Sequence, residues 1–99
     1  KYILECDSII GASKHDYKSF YNKEIVCANR FMQATYKKLV DQVFDRVWKP
    51  KTAVIIYGQD ATLEEVNNMA RYINETYLVK PIIIAGNQAT YHYYIGVMK

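Results

Sequence analysis

Ninety-nine residues, 51% of them apolar and 23% charged, suffice for one modest hydrophobic core and exclude a disordered or multidomain chain. The net charge of +3 lies entirely in the first fifty residues and is too thin for the dense basic stripe of a dedicated nucleic-acid binder. Two cysteines exclude a disulfide framework, and without an apolar run of about 18 residues the chain has no transmembrane helix.

In chain order, residues 2–10 read as a strand with imperfect alternation, ended by Gly11. Residues 11–24 form a polar, tyrosine-rich loop, with a short strand at Glu24 to Cys27 as the alternative. A long helix then starts somewhere in 22–29 and runs to about Trp48. Its apolar stripe is Met32, Tyr36, Leu39, Val40, Val43, Phe44 and Val47, at steps of three and four. Lys37 with Asp41, and Asp45 with Lys49, stand at i,i+4 on the opposite face. Trp48 is expected as a core or edge anchor, and Pro50 stops the helix.

Residues 52–57 are continuously apolar, as in a strand covered on both faces, which tilts the expectation from two layers toward three. Thr62 and Glu65 have the spacing of a capping box, in which the threonine caps an orphan amide and the glutamate reaches back. They open a second helix whose stripe is Leu63, Val66, Ala70, Ile73 and Tyr77. Pro81 introduces a strand at 82–85, Gly86 to Gln88 form a turn, and 89–98 form a last strand. On that strand Tyr91, Tyr93, Ile95 and Val97 share one face, and Thr90, His92, Tyr94 and Met98 the other. The closeness of the last two strands predicts an antiparallel hairpin, with the final strand at a sheet edge. The expected fold is a single α/β domain over 1–99 (α+β as the variant), in the order β-α-β-α-β-β, with a mixed sheet of about four strands. A start at Lys1 rather than Met reads as a piece of a longer protein.

Three groups of residues bear on function. The loops beyond the strand ends offer Asp7 and Ser8, then Gly58, Gln59 and Asp60, then Asn87 and Gln88, and the amides opening the second helix are a place for an anion. They match neither a P-loop nor a dinucleotide fingerprint, so turn and cap chemistry explains them better. His15, His92 and Lys51 (or Lys14 or Lys18) supply the groups of a metal-independent ribonuclease, two imidazoles exchanging a proton and a cation steadying the phosphorane. Tyr91, Tyr93 and Tyr94 on the last strand, with Tyr17, Tyr21 and Lys18 in the loop, supply the flat amphipathic rings common at protein interfaces.

The leading expectation is therefore a non-enzymatic interaction or assembly module. It would use the tyrosine-rich terminal hairpin, with a protein partner or a second copy as ligand and an edge strand able to accept a partner strand. The alternative is a nucleic-acid-binding or toxin-like ribonuclease domain. No metal site and no cofactor is inferred. Cys6 and Cys27 lack zinc spacing and read as free buried thiols. The sequon Asn74-Glu75-Thr76 falls within a helix and reads as chance.

The strand, Gly turn and capped helix of 52–77, followed by 82–98, loosely resembles the βαββ ring-building modules of envelope machines. The shared features are generic pattern over half the chain, and they assign no family. The Pro81-led pair is similar to the second half of thioredoxin-like domains, but Cys6 is followed by Asp7, Ser8 and Ile9 instead of the second cysteine, which removes any redox implication.

Overall fold

The computed structural model describes residues 8–12, 17–21, 24–89 and 91–99. The chain forms β1 (Ser8–Ala12), β2 (Tyr17–Tyr21), β3 (Glu24–Asn29), α1 (Met32–Arg46), β4 (Thr52–Tyr57), α2 (Leu63–Tyr77), β5 (Ile82–Ala85) and β6 (Tyr93–Met98). It is a mixed α/β domain, with one six-stranded sheet in the order β3-β2-β1-β6-β4-β5. Among the described strands only β4 and β5 pair in parallel, joined through α2, and the other neighbours are antiparallel.

Alternation along the strands shows why there are two layers. Ala53 and Ile55 of β4 and Tyr93 and Ile95 of β6 point to one side, where they share a single core with Leu39, Val40 and Val43 of α1 and Val66, Met69 and Ile73 of α2. Both helices therefore cover the same face. The expectation of a third layer fails for a local reason. The apolar run of β4 puts Val54 and Ile56 on the bare face, where flanking strands shield Val54 to 6% exposure with neither α1 nor α2 above it.

The α1 stripe is buried from Met32 to Phe44, with Thr35 added; Val47 is half-buried where the helix ends. The helix begins later than 22–29 because Glu24–Asn29 pair with β2 as β3, with Ile25 opposite Phe20, Cys27 opposite Ser19 and the β-branched Val26 between them at an irregularity. Asn29 Oδ1 accepts the Phe31 N–H at 2.9 Å as the chain turns into α1. In α2 Val66, Met69 and Ile73 are buried, whereas Leu63 is 63% exposed at the first position, before the helix has turned its face inward. Thr62 caps the Glu65 N–H at 3.1 Å, as the capping spacing predicts.

Four further expectations need correction. The segment 11–24 is not one loop, since β2 and the start of β3 occupy part of it. The last two strands are not a hairpin: β4 lies between β5 and β6. β6 is consequently an interior strand paired on both sides, so it offers no edge to a partner, and the resemblances that needed that hairpin lose their basis. Trp48 is not an anchor, being 72% exposed. None of the described helices is long and apolar enough to cross a membrane.

Candidate functional site

The carboxyl ends of β4 and β5 are where an open α/β sheet usually offers a crevice. Here the chain fills it. Because β5 and β6 flank β4 on opposite sides, residues 86–89 and 91–92 of the connection lie over the end of β4. They are stitched there by Gly58 N–H to the His92 carbonyl (2.8 Å), Gln59 N–H to the Gln88 carbonyl (2.9 Å) and Gly86 N–H to the Tyr57 carbonyl (2.9 Å). The Gln88 side-chain amide donates to the Ile56 carbonyl at 3.3 Å. Gly58 is required by space: a Cβ there would stand 2.4 Å from the Tyr91 carbonyl oxygen and 2.6 Å from that of Gln88. The Gly58 and Gln59 amides are thus engaged. Glu64 and Glu65 in the first turn of α2 set a negative charge where an anion would sit, so the arrangement is turn and cap chemistry.

The tyrosines divide by depth. Tyr93 is fully buried beneath the helices, and its hydroxyl donates to Glu65 Oε1 at 2.8 Å. Burial first, then the hydrogen bond and charge of Glu65, push its pKa well above the ordinary phenol value. The Glu65 carboxylate that the capping box would send back to Thr62 is committed to this hydroxyl, which ties the start of α2 to the centre of the sheet. Between the helices, the Tyr72 and Tyr77 hydroxyls both donate to Asp41 Oδ1 at 2.6 Å. Burial and then the Asp41 hydrogen bond and charge raise both phenols, Tyr72 to about 12. The Tyr77 ring stacks on Phe44 with centroids 4.2 Å apart, and Lys37 lies over the Tyr72 ring. Asp41 therefore serves the helix seam rather than a surface pair with Lys37. Lys49 likewise lies over the Trp48 ring.

Among the described residues, those singled out from sequence meet in small aromatic groups and form no single site. Tyr93 cannot contact a partner because it is sealed. Tyr91 and Tyr94 are half-buried and meet edge to face at 5.8 Å. Tyr17 and Tyr21 pack against the core from β2, and Lys18 points to the other side of that strand. His92 is half-buried with its ring edge-on to Tyr17 at 5.6 Å. Lys51 sits at the opposite end of β4, its N–H bonded to the Met98 carbonyl, so it stands about 20 Å from His92 along the strand. His15, Cys6 and Asp7 lie outside the described residues. The proposed ribonuclease constellation is therefore not assembled by His92 and Lys51. Cys27 is free and half-buried. Among the described residues no three His, Cys, Asp or Glu side chains come together as metal ligands would.

The feature that sequence reasoning missed is the bare face of the sheet. Ile82 and Ile84 of β5 are exposed there, Ile82 to 53%, beside Ile56 and Tyr94, and Ile25 is exposed on the opposite edge strand β3, beyond β1 and β2. The signal for it was the run Ile82-Ile83-Ile84, legible as a strand but not as an edge with solvent on it.

The fold and its surfaces define a two-layer α/β domain whose polar clusters brace its own elements. The chain belongs to the FakA-like C-terminal family, named for one of the subunits of fatty acid kinase, and the family model matches residues 8–98. No curated protein matches the sequence.

Proposed function

We propose that this domain is a non-catalytic docking part of a FakA-type fatty acid kinase protein, and that it holds a second, different chain of the kinase on the bare face of its sheet. The observation that carries the reading is that face: Ile82 and Ile84 of the edge strand β5 stand exposed beside Ile56 and Tyr94, with no described element over them. Large exposed apolar patches on small domains mark contact surfaces. Family membership supports the choice of partner, since a kinase whose subunits are told apart by letter is an assembly of more than one kind of chain. The expected interaction role is kept, but it moves from a terminal hairpin to a sheet face. Of the tyrosines first considered, Tyr94 is on that face and Tyr93 is not.

Calorimetric titration of the domain with the other chain of the kinase tests the proposal. Ile82→Lys with Ile84→Lys should weaken binding by at least about tenfold, the cost of placing charge in an apolar contact. Circular dichroism should be unchanged because both side chains are exposed. Equal affinity for the double variant and the parent would overturn the reading.

A further inference from the structure

Three chain segments meet at the end of the sheet opposite Gly58: 47–51 between α1 and β4, 78–81 between α2 and β5, and 98–99 after β6. Strand register brings them together, with Thr52 opposite Met98 and Val54 opposite Ile82. The Phe44–Tyr77 stack adds a second tie, since Trp48 follows just past the end of α1, in whose last turn Phe44 lies, and Leu78 follows Tyr77 directly. Every charged residue in these three segments is a lysine: Lys49, Lys51, Lys80 and Lys99, all exposed. Asp45 and Glu75 lie in the last turns of the two helices, farther back from the tip, and Glu24 lies on the outermost strand.

The two most exposed large apolar side chains of the described residues stand among these lysines, Trp48 at 72% and Leu78 at 86%. Leu78 is also held in the left-handed conformation, φ 60, where glycine or asparagine would be less strained. A leucine that is both strained and exposed contributes little to the fold at this position. Tyr77 before it packs against the core and Val79 after it is buried, so the chain turns inward on either side and leaves Leu78 projecting.

From this end of the domain we infer a peripheral membrane contact: Trp48 and Leu78 enter the headgroup and acyl boundary of an anionic lipid surface while the four lysines meet lipid phosphates. Charge complementarity selects the partner, because an end whose described connecting segments carry only cations is attracted to an anionic surface within a Debye length. Projecting apolar tips favour a bilayer over a nucleic acid: tryptophan is suited to the lipid interface, and an aliphatic leucine has no flat base to gain from. The inference does not rest on the kinase reading, and it uses the tip of the domain rather than the sheet face.

Trp48 is the only tryptophan, so its emission reports its own surroundings. The whole chain is titrated with phosphatidylcholine vesicles, with and without phosphatidylglycerol, and bound protein is measured by co-sedimentation. The expected result is a blue shift and co-sedimentation with the anionic vesicles alone, reversed by added salt. The triple variant Lys49→Glu, Lys51→Glu, Lys80→Glu should bind roughly a hundredfold more weakly. Leu78→Gly, which keeps the helix end, should bind several-fold more weakly. An unshifted Trp48 emission with anionic vesicles overturns the inference, whether or not protein sediments. So does binding that Leu78→Gly leaves unchanged, and so does a heparin or RNA affinity that survives the loss of vesicle binding.

Discussion

Ser19 is fully buried in β2 with its hydroxyl unpartnered among the described residues, an arrangement that costs desolvation and returns no hydrogen bond. Ser19→Ala should therefore leave the urea midpoint unchanged or raise it. Tyr93 is the opposite case: its hydroxyl is buried and satisfied, and removing it strands the Glu65 carboxylate beneath the helix. Tyr93→Phe should cost about 1–3 kcal/mol in the same measurement, the range for orphaning a charged acceptor. Gly58→Ala should cost roughly 1–3 kcal/mol, because the new methyl meets main-chain carbonyls that cannot swing aside.

The two helices are joined by chemistry that neither stripe announces. Tyr72 and Tyr77 hold Asp41 only while their hydroxyls carry protons. Folding raises the Tyr72 pKa from 10 to about 12, so its contribution is complete below pH 10 and is lost as pH climbs toward 12. Tyr77 and Tyr93 shift in the same direction and add to the same alkaline loss. Denaturant midpoints recorded across that window should fall, and fall less steeply in Asp41→Asn, where the neighbouring negative charge is gone. At the other end of α2, Leu78→Gly relieves a left-handed leucine and should raise stability by about 1 kcal/mol by thermal melting.

For the molecule as a whole, one shared core carries both helices and the sheet, so it should unfold as a unit. Leu39, fully buried in that core, tests this: Leu39→Ala should cost about 2–5 kcal/mol, a large share of what a small domain has. The far-ultraviolet and tyrosine signals should fall together in that variant. A helix that melted ahead of the sheet would contradict a single core. The bare face spans the whole six-stranded sheet, and the lysine-rich tip adjoins it where Pro81 leads into Ile82. Ile84, farther along β5, and Leu78, in the connection, are the positions that alter one feature without the other.

Much of this was readable before any coordinates. Hydrophobic steps of three and four gave both helices and most of their buried residues, because a helix writes its own geometry into nearby positions. Thr62 announced its cap because the partner amide is three residues away. The candidate site was far less legible. Tyr93 and Tyr94 look alike on a strand, and which one is sealed depends on the face that α1 and α2 cover. Trp48 passes for core until the helix is seen to end before it.

By itself the amino-acid order determined the local elements, the mixed α/β class and the stop and start signals, since these rest on interactions a few residues apart. Tertiary structure alone decided that β6 is interior, that β5 is an edge, that Gln88, Tyr91 and His92 close over Gly58, and that four lysines gather at one tip. Those outcomes depend on pairings between strands tens of residues apart. Each such pairing is set by how the whole sheet closes over one core rather than by any pattern within the strand itself.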